Sequence, residues 1–454
     1  MATPAIAAHP SISHLGISPS LLTAGGGRET LTFTARGTKR CSIAISPALR
    51  GEPGSVRCGR GRVRVRLSIP ANPRPSIASY RITVRPRGRR APSPTTSLRV
   101  AAQPFRVAVG TYHACATVST GRVVCWGDGH DGMLGDGTEK ASETGVYVDG
   151  ITDASSVATG SYFSCALLRS GTVACWGEDY FGQLGDGQNE DADTPQAVRG
   201  VTGAVAIAAG EEHACALLSS GRVECWGDGI EGELGDGGNK SSNLAVAVGG
   251  VTKAIQVTAG SGDSCALLAS GHAVCWGDNL EGELGDGSTE STTTPVEVRG
   301  VSSAVEIAAG SGYSCTLLAD GHVDCWGENF YGELGDGGTE PSKTATATHE
   351  SARATWLAAG RFDACVVLAG GRVNCWGSGS YGELGWGRFE GSPNPVEVVG
   401  LTSTTQVAGG NNVVCAVPTS GPLSCWGDGE AGDLGDGEEA DSDVPVDVLG
   451  PLEL

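Results

Sequence analysis

The sequence predicts an all-β protein in which a seven-bladed β-propeller follows a small immunoglobulin-like β-sandwich. Glycine accounts for 72 of the 454 residues, an excess that disfavours helices and suits short strands joined by tight turns. The tripeptide Cys-Trp-Gly occurs seven times at a constant spacing of 50 residues, without an insertion or deletion. Each unit contains four strand-like segments, which is the number of strands in a propeller blade.

The segments of one unit follow a fixed order. In the third unit a strand ends at Gly210, a second strand runs through Cys215, and a turn at residues 219–221 leads to a strand ending in Cys-Trp-Gly. A glycine-rich loop with the pattern Gly-x-Leu-Gly-Asp-Gly follows, and a short strand such as residues 295–298 of the fourth unit completes the set. The spacing therefore predicts seven antiparallel blades of identical length.

Ring closure is also predicted. The first unit has no Pro-Val-x-Val segment before Val107, whereas the last unit ends with one at residues 445–448. We expect the C-terminal segment to fill this gap and close the ring, which leaves no exposed sheet edge at the seam. A linear solenoid would need capping repeats at both ends, and the sequence contains none.

The unit Val-x-x-Gly-x-x-His-x-Cys-Ala-Leu-Leu-x-x-Gly-x-Val-x-Cys-Trp-Gly-(x)4-Gly-x-Leu-Gly-Asp-Gly resembles the repeat of the regulator of chromosome condensation family over residues 101–450. The resemblance implies a seven-bladed propeller. Members of that family range from nuclear guanine-nucleotide exchange factors to secreted bacterial proteins, including an inhibitor of β-lactamases. The family resemblance therefore does not determine the function. The family's histidine remains only at His113 and His213. A cysteine pair in every blade points to the secreted bacterial members.

Fourteen of the 16 cysteines form pairs ten residues apart. In a hairpin with a three-residue turn, such a pair lies directly across the two strands, within disulfide range. We expect eight disulfides, one in each blade and one in the N-terminal domain, rather than buried free thiols or a zinc site. The pairs are Cys115 and Cys125, Cys165 and Cys175, Cys215 and Cys225, Cys265 and Cys275, Cys315 and Cys325, Cys365 and Cys375, Cys415 and Cys425, and Cys41 and Cys58.

The paired cysteines indicate an oxidising cellular compartment, because disulfides persist in oxidising environments. We therefore expect a secreted or cell-surface protein. The N-terminus has no long apolar run, but Ala5-Ile6-Ala7 matches a small-x-small cleavage pattern, so we interpret residues 1–9 as a signal-peptide remnant. Residues 10–85 are predicted as the immunoglobulin-like domain, residues 86–100 as a Pro/Arg-rich linker, and residues 101–454 as the propeller.

The net charge of −20 separates into two opposite parts. Residues 1–106 carry 18 Lys and Arg against 2 Asp and Glu, whereas residues 107–454 carry 13 against 49. The basic candidates Arg60, Arg62, Arg64 and Arg66 could bind an anionic wall polymer through the segment 10–100, or could contact the acidic propeller or aid solubility. The acidic propeller would repel DNA.

No catalytic motif is present, so we expect a non-enzyme without cofactor or metal. The scattered residues His113, His130, His213, His272 and His322 are interpreted as turn or surface groups rather than bases. Asp residues recur in the Gly-Asp-Gly turns, where turn chemistry is favoured over calcium binding. These are Asp136, Asp186, Asp236, Asp286, Asp336 and Asp436.

Aromatic residues give the sharper functional signal. Strand order places the loop after the first strand and the loop after Cys-Trp-Gly at the same end of each blade, and ten of the fifteen Phe and Tyr lie there. Because they vary between blades, they are typical of a recognition surface. Phe163 and Tyr313 could instead point inward. The partner-binding candidates are Tyr112, Tyr162, Tyr180, Phe181, Phe330, Tyr331, Phe362 and Tyr381.

The sequence therefore predicts a secreted, monomeric, non-catalytic propeller that binds an extracellular protein through an aromatic-rich acidic face, with enzyme inhibition as one form of that function. One alternative is a wall- or polysaccharide-associated surface protein that uses its basic domain. The other is guanine-nucleotide exchange, which only the family resemblance implies.

Overall fold

A computed structural model describes residues 11–18, 21–22, 27–36, 40–46, 55–57, 61–69, 78–86, 95–100, 107–350, 352–419 and 421–452. The chain divides into two compact units, Met1–Gln103 and Pro104–Leu454.

The described residues of the first unit form eight strands in two sheets. The strands are β1 (Ser11–Ser18), β2 (Leu21–Leu22), β3 (Gly27–Arg36), β4 (Arg40–Ser46), β5 (Ser55–Arg57), β6 (Gly61–Ile69), β7 (Ala78–Pro86) and β8 (Thr95–Val100). One sheet has the order β1-β3-β6 and the other β2-β8-β7-β4-β5. Strand β8 lies within residues 86–100, the span predicted as a linker.

Strand β6 has the alternation that its sequence predicts. Val63 and Val65 pair with Phe33 and Leu31 of β3, and Phe33 and Val65 are buried. The candidates Arg62, Arg64 and Arg66 occupy the intervening positions, opposite Thr34, Thr32 and Thr30. Cys41 is buried and disulfide-bonded. Its predicted partner Cys58, and Arg60, lie outside the described residues.

The second unit is a seven-bladed propeller, as predicted, in which four consecutive strands form each antiparallel blade. The innermost strands are Val107–Val109, Ala154–Thr159, Ala204–Ala209, Ala254–Ala259, Ala304–Ala309, Ala354–Ala359 and Thr404–Gly409. The second strands are His113–Thr117, Phe163–Leu168, His213–Leu218, Asp263–Leu268, Tyr313–Leu318, Asp363–Leu368 and Val413–Pro418. The third strands are Val123–Gly127, Val173–Gly177, Val223–Gly227, Ala273–Gly277, Val323–Gly327, Val373–Gly377 and Ser424–Gly427. The outermost strands are Ser142–Tyr147, Ala192–Ala197, Ser242–Ala247, Thr292–Glu297, Ser342–Ala347, Ser392–Glu397 and Ser442–Asp447.

The ring does not close by strand exchange, so the predicted role of the C-terminal segment is wrong. The last strand, Ser442–Asp447, pairs with the third strand of its own repeat, and the first blade has its own outermost strand. The first and last blades instead meet through the contact that joins other neighbouring blades. The amide of Gly437 donates to the carbonyl of Glu143 at 3.0 Å, just as Gly137 donates to Asp193 at 3.0 Å.

Each blade carries the predicted hairpin disulfide. Cys215 lies directly opposite Cys225 in the strand register, and their Cα atoms are 4.0 Å apart. The other six blades repeat this bridge with Cα separations of 4.0 to 4.1 Å. Seven such disulfides indicate folding in an oxidising environment. Helical structure in the described part of the chain is limited to the short 3-10 turns His130–Gly132 and Glu430–Gly432, and no helix there could span a membrane.

The tryptophans of Cys-Trp-Gly join neighbouring blades. All seven are buried, and each indole N–H donates to a backbone carbonyl of the preceding blade, as Trp276 does to Glu233 at 2.8 Å. Gly235 lies against the same indole, and a Cβ at that position would come within 2.7 Å of Trp276 Nε1. Glycine is therefore required where each loop passes beneath the next blade's tryptophan.

Candidate functional site

The loops at one end of the blades form the candidate site. They comprise residues 110–113 and 128–133 with the equivalent segments of every repeat, and we call this surface the loop face. The two segments are joined in each blade, since the amide of Asp128 donates to the carbonyl of Tyr112 at 2.8 Å and that of Glu328 to Gly312 at 2.7 Å. The structure thus brings both loops to the same end, as the strand order predicts.

All eight predicted partner-binding aromatics lie on the loop face. Tyr180, Phe330, Tyr331 and Tyr381 are exposed, with Tyr180 at 73% of its full accessible area. The other four, Tyr112, Tyr162, Phe181 and Phe362, are half-buried.

Ring contacts join these aromatics within one blade and between neighbouring blades. The ring centroids of Tyr112 and Tyr162 are 4.8 Å apart, as are those of Tyr180 and Phe181 within blade 2. Tyr331 and Phe362 join blades 5 and 6 at 5.3 Å. A hydrogen bond with Tyr112, followed by burial, raises the pKa of Tyr162. These pairs hold aromatic surface in fixed orientations.

Aliphatic residues continue the apolar surface between the two aromatic groups, which aromatic content alone did not reveal. Ile230 and Leu280 occupy the slot of Tyr180 and Phe330, and they are 55% and 69% exposed. The sequence contains this pattern, because a large apolar or aromatic residue occupies this slot in four consecutive units. Exposed apolar side chains on neighbouring blades are typical of an interaction surface.

The family's histidine slot points into the blades. His113 and His213 are buried strand residues whose Nε2 atoms lie 2.6 and 2.8 Å from Ser164 Oγ and Ser264 Oγ of the next blade. Their interpretation as turn or surface groups is therefore wrong. Burial lowers the pKa of His113 to about 3 and that of His213 to about 4, so both stay neutral.

Phe163 and Tyr313 occupy the same slot and are fully buried. The Tyr313 hydroxyl donates to the carbonyl of Gly360 at 3.1 Å in the next blade. The inward alternative therefore holds for both residues, and they belong to the scaffold rather than to the exposed surface.

The loop face is strongly acidic. Residues 110–113, 128–133 and their equivalents contain 20 Asp and Glu but only one Lys or Arg, namely Arg361. The guanidinium Nε of Arg361 is 3.8 Å from Glu211 Oε1, and its Nη1 is 3.4 Å from Asn411 Oδ1. These residues ring the mouth of the central channel, whose lining comes from the ends of all seven innermost strands.

Several loop-face carboxyl groups are buried or half-buried, and their pKa values are raised. Desolvation raises the pKa of Glu212, Glu233, Glu283 and Glu333 to about 7, and neighbouring carboxylates add to the shift. Burial also raises the pKa of Asp263 well above its usual range. The face therefore holds carboxyl groups that an approaching cation could ionise.

The Gly-Asp-Gly turns have the geometry expected of turn chemistry. Asp236 Oδ1 accepts the amide proton of Gly238 at 2.7 Å, and Asp286 Oδ1 that of Ser288 at 2.8 Å. In the described residues, no three His, Cys, Asp or Glu side chains are placed to hold a metal ion. These aspartates thus close their own turns.

Comparison with known families identifies the repeats. A model described as the regulator of chromosome condensation (RCC1) repeat matches residues 106–132, 154–183, 204–233, 254–283 and 304–333. A second model of the same description matches residues 170–217, 270–317 and 370–417. The chain belongs to the RCC1 repeat family. A comparison with curated protein sequences finds no match.

Solved structures agree on the fold of this RCC1-repeat propeller. A chain in the crystal structure of Kap60 bound to yeast RCC1 (Prp20) is 23% identical over 74% of this chain and 86% of that chain, with a TM-score of 0.65. Human WBSCR16 is 22% identical over 73% of this chain and 94% of that chain, with a TM-score of 0.65. Prp20p from Saccharomyces cerevisiae is 23% identical over 74% and 88%, with a TM-score of 0.64.

Proposed function

We propose that the chain is an exported, monomeric, non-catalytic binding protein whose RCC1-repeat propeller captures an extracellular protein through the loop face. The observation that carries this proposal is the run of exposed apolar side chains across blades 2 to 6, set among carboxylates. Tyr180, Phe330, Tyr331 and Leu280 are each more than half exposed. Large aromatic side chains surrounded by polar groups are the usual anchors of protein interfaces.

Two further points support the proposal. The yeast propellers of the same fold are described as binding Kap60, Gsp1p and histones, so this architecture serves protein recognition elsewhere. The seven disulfides favour an oxidising compartment, which is where an extracellular partner would be met. An enzyme inhibited by capture is the partner class that the secreted family members suggest.

The test is capture of a partner from an exported-protein fraction by the immobilised chain. The variant Tyr180→Ala, Phe181→Ala, Phe330→Ala and Tyr331→Ala should lose capture, since these residues supply much of the apolar area. The matched control replaces Leu244 and Val399 with Ala, which are 44% and 50% exposed outside the loop face. Unchanged capture by the loop-face variant, or equal loss by the control, would contradict the proposal.

A second candidate function concerns the N-terminal unit. The register of β6 alternates Arg62, Arg64 and Arg66 with Val63 and Val65, which favours a basic strand face able to bind an anionic wall polymer. Deleting residues 1–98 should abolish retention on isolated cell walls under this function. Retention by the propeller alone would exclude it. Guanine-nucleotide exchange has no observation in this chain in its favour.

A further inference from the structure

The strongest unexplained feature of the loop face is an acidic pocket lined by residues of blades 2 to 5. It has a volume of about 460 Å³, which lies within the usual size range of ligand sites. Ten carboxylate side chains line it, and no Lys or Arg is among its lining residues. Arg361, at the channel mouth, has its Nε 3.8 Å from Oε1 of Glu211, which is one of the lining carboxylates. The pocket therefore concentrates acidic side chains.

Two of these carboxylates are buried without a complete set of partners. Asp263 is 1% exposed and Glu233 is 2% exposed, and both line the pocket. Asp263 Oδ1 and Glu233 Oε2 have no hydrogen-bond partner. Asp263 occupies the slot that points into the blades, with Oδ1 against Gly260, so Glu233 is the one of the two available to a ligand. Leaving a buried polar atom unpaired costs about 1 to 3 kcal/mol, so a ligand that donates to Glu233 gains a favourable interaction.

The pocket's shape and apolar wall indicate the class of cation. In the described part of the chain no three acidic, His or Cys side chains converge as metal ligands. Phe181 and Leu280 also line the pocket, and Leu280 is 69% exposed. An apolar stem with a cationic end matches this combination, because the stem packs on hydrophobic surface while the head meets the carboxylates.

We propose that this pocket binds the guanidinium or alkylammonium head of an organic cation, with the stem against Phe181 and Leu280 and the head between Glu233 and Glu283. The raised pKa values of Glu233 and Glu283 are consistent with carboxyls that ionise when the cation enters. A Lys or Arg side chain of a protein partner and a free polyamine share this chemistry. The first source rests on the proposed function.

The repeats provide matched control variants. Gln183 already occupies the Glu233 slot in blade 2, where its Oε1 accepts the amide of Phe181 at 2.9 Å. Glu283 accepts the amide of Glu281 at 2.8 Å in the same way, so Glu→Gln preserves the local fold. The pair Glu233→Gln and Glu283→Gln removes charge from the pocket. The pair Glu333→Gln and Glu383→Gln removes equally buried charge from blades 5 and 6, outside it.

The experiment is calorimetric titration of the full chain at low ionic strength with three probes. These are acetyl-Gly-Arg-Gly-amide, the same peptide with neutral citrulline in place of Arg, and spermine. We expect one bound cation per chain, no binding of the citrulline peptide, and binding weakened about tenfold or more by the pocket pair but not by the control pair, because charged hydrogen bonds are lost.

The outcomes separate the sources and the proposals. Binding of the arginine peptide supports a protein side chain as the ligand, whereas binding of spermine alone supports a free polyamine. Absence of binding by both cations, or equal weakening by the control variants, overturns the pocket as a cation site. Because the titration uses no protein partner, its failure would leave the capture experiment intact, and failed capture would leave cation binding intact.

Discussion

Replacing Gly235 with Ala tests whether the blades are held together as described. The glycine has φ +65°, and an added Cβ would lie 2.7 Å from Trp276 Nε1 and 2.9 Å from Val248 Cγ1. A non-glycine residue with this φ costs about 1 to 2 kcal/mol. Overpacking a filled interface adds about 1 to 3 kcal/mol, so we expect a loss of about 2 to 5 kcal/mol in the free energy of unfolding.

Gly250→Ala is the matched control. Gly250 has φ +74°, yet nothing lies within 4 Å of the position of its added Cβ. This substitution should therefore cost only the backbone strain of the positive φ, about 1 to 2 kcal/mol. Urea unfolding of the oxidised chain, followed by tryptophan fluorescence, measures both midpoints. Equal midpoints for the two variants would refute the tight packing of loop against indole.

Three further predictions follow from the repeats and their buried groups. Replacing Cys215 and Cys225 with Ala should lower the free energy of unfolding by up to about 3 kcal/mol, because the ten-residue closed loop is lost; an unchanged urea midpoint would show that the bridge contributes nothing. His213→Phe should be tolerated within about 1.5 kcal/mol in thermal unfolding, since Phe fills the same slot at Phe163 and Ser264 retains the carbonyl of Glu233 at 3.1 Å; a loss as large as that of His213→Ala would contradict this. The urea midpoint should fall as pH rises from about 5 to 7.5, because the folded carboxyls with pKa about 7 hold protons that unfolded ones release above about pH 4. The lowered pKa values of His113 and His213 oppose this fall below about pH 6.5. A midpoint that rises over this range, or the same pH dependence in the Glu233→Gln, Glu283→Gln and Glu333→Gln variant, would refute the assignment of these pKa values.

The period of the sequence determined most of the fold. Cys-Trp-Gly at a constant 50-residue spacing predicted the blade number, and the ten-residue cysteine spacing predicted the hairpin register that the structure has. A period does not specify where a blade begins, however. The ring closure was mispredicted for this reason. A repeating series of four strands can be divided into blades starting at any of the four, and the period is the same in each case.

The candidate site was only partly predictable. Strand order alone placed the aromatic loops at one end of the blades, and the structure places all eight candidates there. The histidine slot was misjudged because the tight turn from Gly110 to His113, closed by a hydrogen bond of 2.8 Å, makes His113 the first residue of a strand rather than a loop residue. The acidic pocket needs loops from four blades to converge, which no local motif reveals.

The most direct test of the protein-capture function is a hydrogen-exchange footprint of the chain with its captured partner. The account predicts slower amide exchange in the loop-face segments of blades 2 to 6, around Tyr180, Leu280 and Tyr331, with the turns at the opposite end of the blades unchanged. Protection confined to those opposite turns, or to residues 1–103, would contradict recognition through the loop face.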